Sequence, residues 1–154
     1  MTSVLGLECA GTVTRVGPGV DGDHVQVGDH VMALLPGGGY AEYVSVHHGH
    51  VMRVPTGLTM VQAAAVPEVW LTAYQLLHMT ADLGPGHRVL VHAGGSGVGT
   101  AAVQLVRLAG AQSFVTAGSQ HKIETAIHLG AAQGSNYKTG IAHCKKNQLI
   151  CLAT

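Results

Sequence analysis

Residues 87–108 are the part of the sequence best suited to chemistry, because closely spaced glycines follow an apolar run there. The apolar residues 89–91 lead into AGGSGVG at 93–99, and apolar residues then recur at helical spacing. This pattern predicts a strand, a glycine turn and a helix. Glycines let backbone N–H groups approach a phosphate where a Cβ would collide, and the positive end of the helix favours the same anion. The stretch therefore predicts a phosphate-binding turn.

The glycine spacing matches the usual dinucleotide fingerprint only in part. After Gly95 and Gly97 that fingerprint has a third glycine, and Thr100 occupies the position where we expect it. A tight turn without a ligand would use the same glycines, so both interpretations stay open at this point.

The residues after the second predicted strand indicate which nucleotide would bind. An NAD site usually has a carboxylate about 20 residues beyond the glycine turn. Here the strand ends in Ala117-Gly118-Ser119, and the first acid is Glu124, well into the next helix. A 2′-phosphate could meet the Ser119 hydroxyl, the helix N-terminus and the Lys122 ammonium. The sequence predicts NADPH over NADH, with a simple cap at Ser119 and a solvent-facing Lys122 as the alternatives.

Cysteine and histidine give no strong metal signal. The three cysteines form no CxxC pair and leave an odd thiol, which favours neither a disulfide framework nor a zinc ribbon; they are Cys9, Cys144 and Cys151. His47, His48 and His50 form a loop cluster, but no acidic or cysteine partner follows at a metal-ligand spacing. We expect no bound metal.

Composition indicates a globular chain without a nucleic-acid or membrane partner. The 154 residues are 47% hydrophobic, and eight Lys+Arg balance eight Asp+Glu. No apolar run approaches the roughly 18 residues of a membrane span, and the first residues show no targeting pattern. Together with the reduced thiols, this predicts a soluble cytoplasmic protein. The basic excess over residues 91–154 suits a phosphorylated cofactor or, equally, an ordinary solvated surface.

The first third of the chain reads as β structure. Strands are predicted within residues 4–16, 25–34, 40–46 and 51–55, and together they suggest a small, strongly bent barrel. Tyr40 and Tyr43 alternate along one of these segments, where one could face a cleft, although core packing or surface exposure explains them equally well.

The remainder predicts helices and then an alternation of strands and helices. Thr59 and Gln62 form a capping-box signal, Pro67 interrupts the helix, and helical periodicity resumes over residues 68–79. From residue 87 the order is strand, helix, strand, helix, strand, one mononucleotide-binding half of a Rossmann sheet. Because the tail from Thr139 is too short for three further strands with their helices, we expect an open apolar edge on the glycine-turn strand.

The order of several motifs resembles that of medium-chain dehydrogenase/reductases of the quinone oxidoreductase branch, in particular the animal relatives of zeta-crystallin. The motifs are GLECAG, LLPGGGYAEYV, AAAVPEVWLTAYQLL, HAGGSGVGTAAVQL and TAGSQHK, followed by LGAA and NYK. The likeness covers about Leu5 to Lys138. Relative to that family, the chain lacks the first barrel strands and the nicotinamide-side half of the nucleotide domain.

The resemblance implies an α/β fold, with a partial GroES-like β barrel followed by half of a Rossmann dinucleotide-binding domain. It divides the chain into a barrel region at 1–58, connecting helices at 59–86, a half Rossmann NADP-binding domain at 87–138 and a divergent tail at 139–154.

The resemblance further implies NADPH as cofactor and hydride transfer to a small-molecule quinone or a similar carbonyl compound. By position, the pyrophosphate would be lined by Gly95, Ser96, Gly97 and Val98. The adenosine ribose and its phosphate would be surrounded by Gly118, Ser119, Lys122 and Tyr137. Thr72 would lie near the nicotinamide. Ser96 stands where many relatives have glycine. No residue is identified as catalytic, because in such reactions the cofactor carries the chemistry.

Two features limit the expected activity. Zinc-dependent relatives have Gly-His-Glu where this chain has Gly6-Leu7-Glu8, and leucine cannot bind a metal, so we expect zinc-independent chemistry. The missing regions suggest a truncated product with little turnover of its own. The alternative is a non-catalytic fragment that binds the nucleotide or interacts with the full-length enzyme, whose family includes homodimers.

Overall fold

The computed structural model describes residues 4–140 and 149–152. They fall into two compact units, Met1–Glu68 and Val69–Thr154. Cys144 lies outside the described residues. Within the described ranges, no helix has the length and apolar character needed to cross a membrane.

The sheet of the N-terminal unit has three antiparallel strands in the order β1-β2-β3. Their bounds are Glu8–Thr12 for β1, His30–Leu34 for β2 and Val51–Arg53 for β3, and a short 3-10 turn, His48–His50, precedes β3. The central strand β2 buries Met32 and Ala33. These strands are shorter than predicted, because the pairing of β1 with β2 extends only from Glu8↔Leu34 to Thr12↔His30.

Two glycines allow the entry to β1 to approach the loop after β2. Gly39 N–H donates to Gly6 C=O at 2.9 Å, and Gly6 has a φ of +104°. A Cβ on Gly6 would lie 2.7 Å from Gly39 Cα. Both the positive φ and the close backbone contact therefore require glycine at position 6.

The strand predicted over residues 40–46 is wrong. That segment is an irregular bent loop, in which Tyr40 is 79% and Tyr43 is 76% exposed. Alternation at period two forms a strand only when a neighbouring strand supplies hydrogen bonds, and within residues 4–140 and 149–152 no strand pairs with this segment. Neither tyrosine packs in a core.

Helix α1 (Met60–Ala64) begins as the sequence predicts. Gln62 N–H donates to Thr59 Oγ1 at 3.3 Å, and Thr59 N–H donates to Gln62 Oε1 at 2.9 Å, which completes the capping box. The predicted interruption is confirmed, because a new helix, α2 (Pro67–Tyr74), starts at Pro67. It continues into a π-helical segment, Gln75–Thr80, after which Ala81 N–H donates to Leu76 C=O.

The C-terminal unit is a parallel sheet, with a helix in each of the two strand connections between residues 88 and 136. The elements are β4 (Arg88–Val91), α3 (Gly97–Leu108), β5 (Gln112–Ala117), α4 (Gln120–Leu129), β6 (Gln133–Asn136) and β7 (Leu149–Leu152), and the strand order is β6-β5-β4-β7. Strands β4 to β6 with the two intervening helices confirm the predicted half of a Rossmann sheet. Their core is largely aliphatic and includes Leu77, Val89, Val91, Val103, Val106 and Val115.

The expectation of an open edge on the glycine-turn strand is wrong. Strand β7 pairs in parallel with β4, from Arg88↔Leu149 to Val91↔Leu152, so among the strands of the described residues β7 is the outermost on this side. Leu152 is 5% exposed and belongs to the core. A tail too short for three strands and their helices is still long enough for one, and the apolar residues 149–152 supply it.

Candidate functional site

The glycine turn lies between the carboxyl end of β4 and the start of α3. Ser96 is the N-cap of α3, and its Oγ accepts a hydrogen bond from Gly99 N–H at 3.0 Å. The first N–H groups of a helix have no hydrogen-bond acceptor within the helix. At the start of α3 these include the N–H groups of Gly97 and Val98, which could therefore donate to a ligand. The turn predicted from the glycines is present and ends at a capped helix that favours an anion.

Gly99 is the last of the four glycines at residues 93–99, and it lies one position before Thr100, where the usual fingerprint has its third glycine. A Cβ there would lie 2.5 Å from Ala93 O and 2.8 Å from Gly94 Cα, so the first turn of α3 packs directly on the backbone that follows β4. Gly94 has a similar role, because a Cβ on it would lie 2.6 Å from Val115 Cβ.

Lys122 extends from α4 to the glycine turn. A Cβ on Gly95 would lie 2.8 Å from Lys122 Cβ and 2.9 Å from Lys122 Cδ, so the lysine stem packs against the glycine backbone. The structure thus brings together two residues that are 27 positions apart and were assigned to different parts of the nucleotide. Lys122 is exposed and forms no ion pair with a carboxylate of the described residues.

Gly118 lies beneath two side chains that follow β6. A Cβ on Gly118 would lie 2.6 Å from the Tyr137 hydroxyl oxygen and 3.3 Å from Lys138 Cε. Tyr137 N–H donates to Ala117 C=O, and Asn136 Oδ1 accepts a hydrogen bond from Lys138 N–H at 3.0 Å. Gly118 and Tyr137 therefore adjoin, and their contact with an adenosine ribose stays a prediction. Lys138 was not among the predicted site residues, although its place next to Tyr137 in the sequence was a usable signal.

Ser119 has the capping role that was one of its two interpretations. It is the N-cap of α4, and its Oγ accepts a hydrogen bond from Lys122 N–H at 3.4 Å. The first acid after it, Glu124, accepts a hydrogen bond from Gln120 Nε2 at 3.1 Å. The α4 entrance thus carries a hydroxyl and a lysine, while the carboxylate lies further along the helix. A phosphate contact at Ser119 stays a prediction.

Thr72 lies on the helix that contacts the entrance of α3. A Cβ on Gly97 would lie 2.8 Å from Val69 Cγ1, which places α2 against the glycine turn. Thr72 follows Val69 by three residues and therefore shares its side of α2. The structure brings this helix to the turn, and a nicotinamide contact at Thr72 stays a prediction.

The N-terminal unit has no comparable cluster. Among residues 4–140 and 149–152, no three His, Cys, Asp or Glu side chains are arranged to hold a metal ion. His47 and His48 have ring centroids 4.5 Å apart, and His47 Nδ1 accepts the Gly49 N–H. Glu8 Oε2 accepts the Glu68 N–H at 2.9 Å, which gives this carboxylate a structural role.

The thiol of Cys9 in β1 is also unsuited to nucleophilic chemistry. Burial raises the pKa of this thiol above its ordinary value, and a backbone hydrogen bond with Ala33 opposes the shift only in part. A raised pKa leaves less of the reactive thiolate at neutral pH.

Comparison with known proteins agrees with both units. Residues 1–56 match the family described as the alcohol dehydrogenase GroES-like domain. The Escherichia coli quinone oxidoreductase complexed with NADPH has a TM-score of 0.83 and 34% identity, over 89% of this chain and 42% of that chain. The CurK enoyl reductase has a TM-score of 0.81 and 39% identity, over 88% of this chain and 40% of that chain.

Curated relatives are much longer proteins. The squalestatin tetraketide synthase of Phoma sp. (strain C2932) is 42% identical over 125 residues, which is 81% of this chain and 5% of that protein. The chain thus spans about a twentieth of this curated relative and about two fifths of the solved chains above.

The fold and these likenesses define the class of the protein. The chain belongs to the medium-chain dehydrogenase/reductase superfamily, with a GroES-like N-terminal region and a Rossmann-like parallel sheet. The predicted fold class is therefore confirmed. A particular relation to the animal relatives of zeta-crystallin is not supported, because the matches include polyketide synthases and bacterial quinone oxidoreductases.

Proposed function

We propose that the C-terminal unit binds NADPH and that the protein serves NADPH-dependent reduction of an electron-poor, conjugated carbonyl compound. The observation that carries this proposal is the approach of Lys122 to Gly95 and of Tyr137 and Lys138 to Gly118. These contacts place the Lys122 stem at the glycine turn, and the Tyr137 hydroxyl and the Lys138 side chain at Gly118, directly before the α4 cap. The two likenesses to quinone and enoyl reductases support the reaction class.

The residues fit this cofactor. Glycine at positions 95 and 118 lets the Lys122 stem and the Tyr137 hydroxyl approach the backbone, because a Cβ would lie 2.8 Å from Lys122 Cβ and 2.6 Å from the Tyr137 hydroxyl oxygen. The pyrophosphate would lie at the N–H groups of Gly97 and Val98, and the 2′-phosphate would be held by Lys122, with Ser119 and Lys138 as further donors. A phosphate monoester carries nearly two negative charges at neutral pH, which two lysines balance better than one.

When bound, the cofactor supplies a hydride, and this chain's residues contribute binding and orientation. Lysine at position 122 favours the phosphorylated ribose, and the absence of an acid between the glycine turn and Glu124 removes a repulsive charge. Thr72, on the helix next to Gly97, would orient the nicotinamide through its hydroxyl. No zinc chemistry is needed, since Leu7 offers no metal-binding atom.

Two acceptor classes remain, and each has a supporting observation. A quinone is favoured by the 34% identity with a quinone oxidoreductase. An α,β-unsaturated thioester is favoured by the 39% identity with CurK and by the polyketide synthase relative. We propose a quinone as the hydride acceptor, and an enoyl thioester as the second candidate.

A non-catalytic role is the alternative, because the chain covers only 42% of the solved quinone oxidoreductase. Such a chain would keep the adenosine-phosphate side of the site and bind the nucleotide, or interact with the complete enzyme, without turnover.

Calorimetric titration of the purified chain with NADPH and NADH tests the cofactor. We expect NADPH to bind at least about tenfold more tightly, from one charge-assisted contact. Assays of NADPH oxidation with an ortho-quinone and with an enoyl thioester then separate the acceptors. Binding without turnover would select the non-catalytic role, and equal affinity for the two nucleotides would refute the NADPH site.

A further inference from the structure

The strands on both sides of the glycine turn are joined by a hydrogen bond between their side chains. His92 Nδ1, directly after β4, lies 2.9 Å from Thr116 Oγ1 in β5. Thr116 is 5% exposed and His92 is half-buried. Backbone bonds of 2.9 Å fix both partners: His92 N–H donates to Leu152 C=O, and Gly94 N–H donates to Thr116 C=O. We call this pair the His92–Thr116 clasp.

The clasp adjoins a strained residue. Ala93 has a φ of +51°, a left-handed conformation that a residue with a Cβ keeps only when its surroundings hold it. It lies between His92, bonded to Thr116 through its side chain, and Gly94, bonded to Thr116 through its backbone. One residue of β5 therefore restrains both neighbours of Ala93.

The conformation of Ala93 is transmitted to the start of α3. Ser96 N–H donates to Ala93 C=O at 2.8 Å, and the Ser96 hydroxyl caps the helix by accepting from Gly99 N–H. A rotation of the Ala93 peptide would move the Ser96 cap and, with it, the N–H groups of Gly97 and Val98.

We propose that the His92–Thr116 clasp positions the phosphate-binding turn by holding Ala93 left-handed, so that the first N–H groups of α3 keep their orientation toward a pyrophosphate. His92 and Thr116 are positioning residues and not ligands. The inference rests on the proposed nucleotide site and adds two residues to it.

The proposal predicts a distinct pattern of affinities. The turn would bind the pyrophosphate, which NADPH and NADH share, so loss of the clasp weakens both nucleotides by the same factor. Loss of Lys122, in contrast, would change the ratio between them.

Paired substitutions test the hydrogen bond itself. Thr116→Val is nearly isosteric and removes the hydroxyl, whereas Thr116→Ser keeps it; His92→Leu removes the ring nitrogen, whereas His92→Asn places a polar atom near Nδ1. We expect about five- to tenfold weaker binding of NADPH and NADH for the Val and Leu variants, the range of one lost hydrogen bond. The Ser and Asn variants should stay within about twofold of the unsubstituted chain.

Two further measurements separate positioning from stability. Hydrogen exchange of the Gly94 amide should accelerate in Thr116→Val without ligand, because the strand end is freed. The double variant Thr116→Val/His92→Leu should lose less affinity than the sum of the two single losses, since both substitutions remove the same bond. Thr125→Val, which removes an exposed hydroxyl bonded to His121 C=O, is the matched control and should bind unchanged.

The outcomes separate this inference from the proposed function. If the unsubstituted chain binds neither nucleotide, the proposed function is refuted, and the Gly94 exchange rate alone decides whether the clasp holds the turn. Unchanged exchange and affinity in Thr116→Val would overturn the clasp while leaving the NADPH site intact. An equal loss in Thr125→Val, or a changed NADPH-to-NADH ratio in Thr116→Val, would also overturn it.

Discussion

The two units differ in how their elements are stabilised. In the C-terminal unit, β4 and β5 are largely buried between helices, and Val89, Val91 and Val115 are at most 2% exposed. In the N-terminal unit, β1 has no fully buried residue, and large apolar side chains such as Tyr40 and Val61 are mostly exposed. The comparison indicates that the most fully buried aliphatic strand residues lie in the unit that carries the candidate site.

Among the substitutions considered, replacing a tightly packed glycine should have the largest effect on the free energy of unfolding. Gly99→Ala places a Cβ 2.5 Å from Ala93 O, a contact with backbone that cannot rotate away. We expect the C-terminal unit to lose about 3 kcal/mol of unfolding free energy or more, as in severe overpacking. Chemical denaturation followed by fluorescence of the single tryptophan, Trp70, reports this unit.

The matched control is Gly11→Ala in β1, where a Cβ would meet nothing within 4 Å. It should change the free energy of unfolding by less than about 1 kcal/mol. Similar losses in the two variants would mean that the close approach of the Ala93 carbonyl to Gly99 does not cause the loss.

Strand β7 provides the next largest effect. Leu152→Ala removes a side chain that is 5% exposed within the core of the C-terminal unit. We expect a loss of about 2–3 kcal/mol, the lower part of the range for buried leucine. Leu108→Ala makes the same chemical change at a residue that is 80% exposed and should cost less than about 0.5 kcal/mol. Equal melting temperatures for the two variants would exclude β7 from the core.

Local signals in the sequence predicted the elements that local interactions form. The caps at Thr59 and Ser119 each depend on residues within one helical turn, and both are present. Residues 40–46 were predicted wrongly because alternating residues form a strand only beside a hydrogen-bonding partner strand. The local sequence does not show whether such a partner is present. Sequence spacing also could not reveal β7, since its partner β4 is about 60 residues away.

The candidate site, like the fold, was predictable from the sequence only where it depends on local residues. The residues of the turn and the α4 cap follow from glycine and serine positions, whereas the contact of Lys122 with Gly95 depends on how α4 packs on the turn. The restraint of Ala93 by Thr116 had no signal in the sequence, because it depends on the register of β4 with β5. Registers of parallel strands are set by tertiary packing.

Removing the Lys122 charge should change the preference for NADPH over NADH by a smaller free energy than the stability losses above. Lys122→Ala should weaken NADPH by about tenfold, or about 1.4 kcal/mol, and leave NADH within about twofold, because only the 2′-phosphate loses its partner. Lys122→Arg should retain most of the preference. Arg15→Ala, an exposed cation of the N-terminal unit, is the charge-matched control.

Titrations at two salt concentrations complete that experiment. The NADPH affinity of the unsubstituted chain should fall more steeply with salt than that of Lys122→Ala, since screening weakens exposed charge pairs. An unchanged NADPH-to-NADH ratio in Lys122→Ala would show that the lysine stem only packs on Gly95.

Helix caps give the smallest effects and compare the two units directly. Thr59→Ala removes half of a complete capping box, and Ser119→Ala removes a single hydrogen bond of 3.4 Å. We expect about 1 kcal/mol for Thr59→Ala and about 0.5 kcal/mol for Ser119→Ala, within the usual range of cap substitutions. Nucleotide affinity should respond in the opposite order, because only Ser119 belongs to the proposed phosphate site. Hydrogen exchange of α1 and α4, with NADPH titration of both variants, measures the two effects together. A loss of NADPH affinity in Thr59→Ala as large as in Ser119→Ala would mean that the cap of α4 has no role beyond its helix.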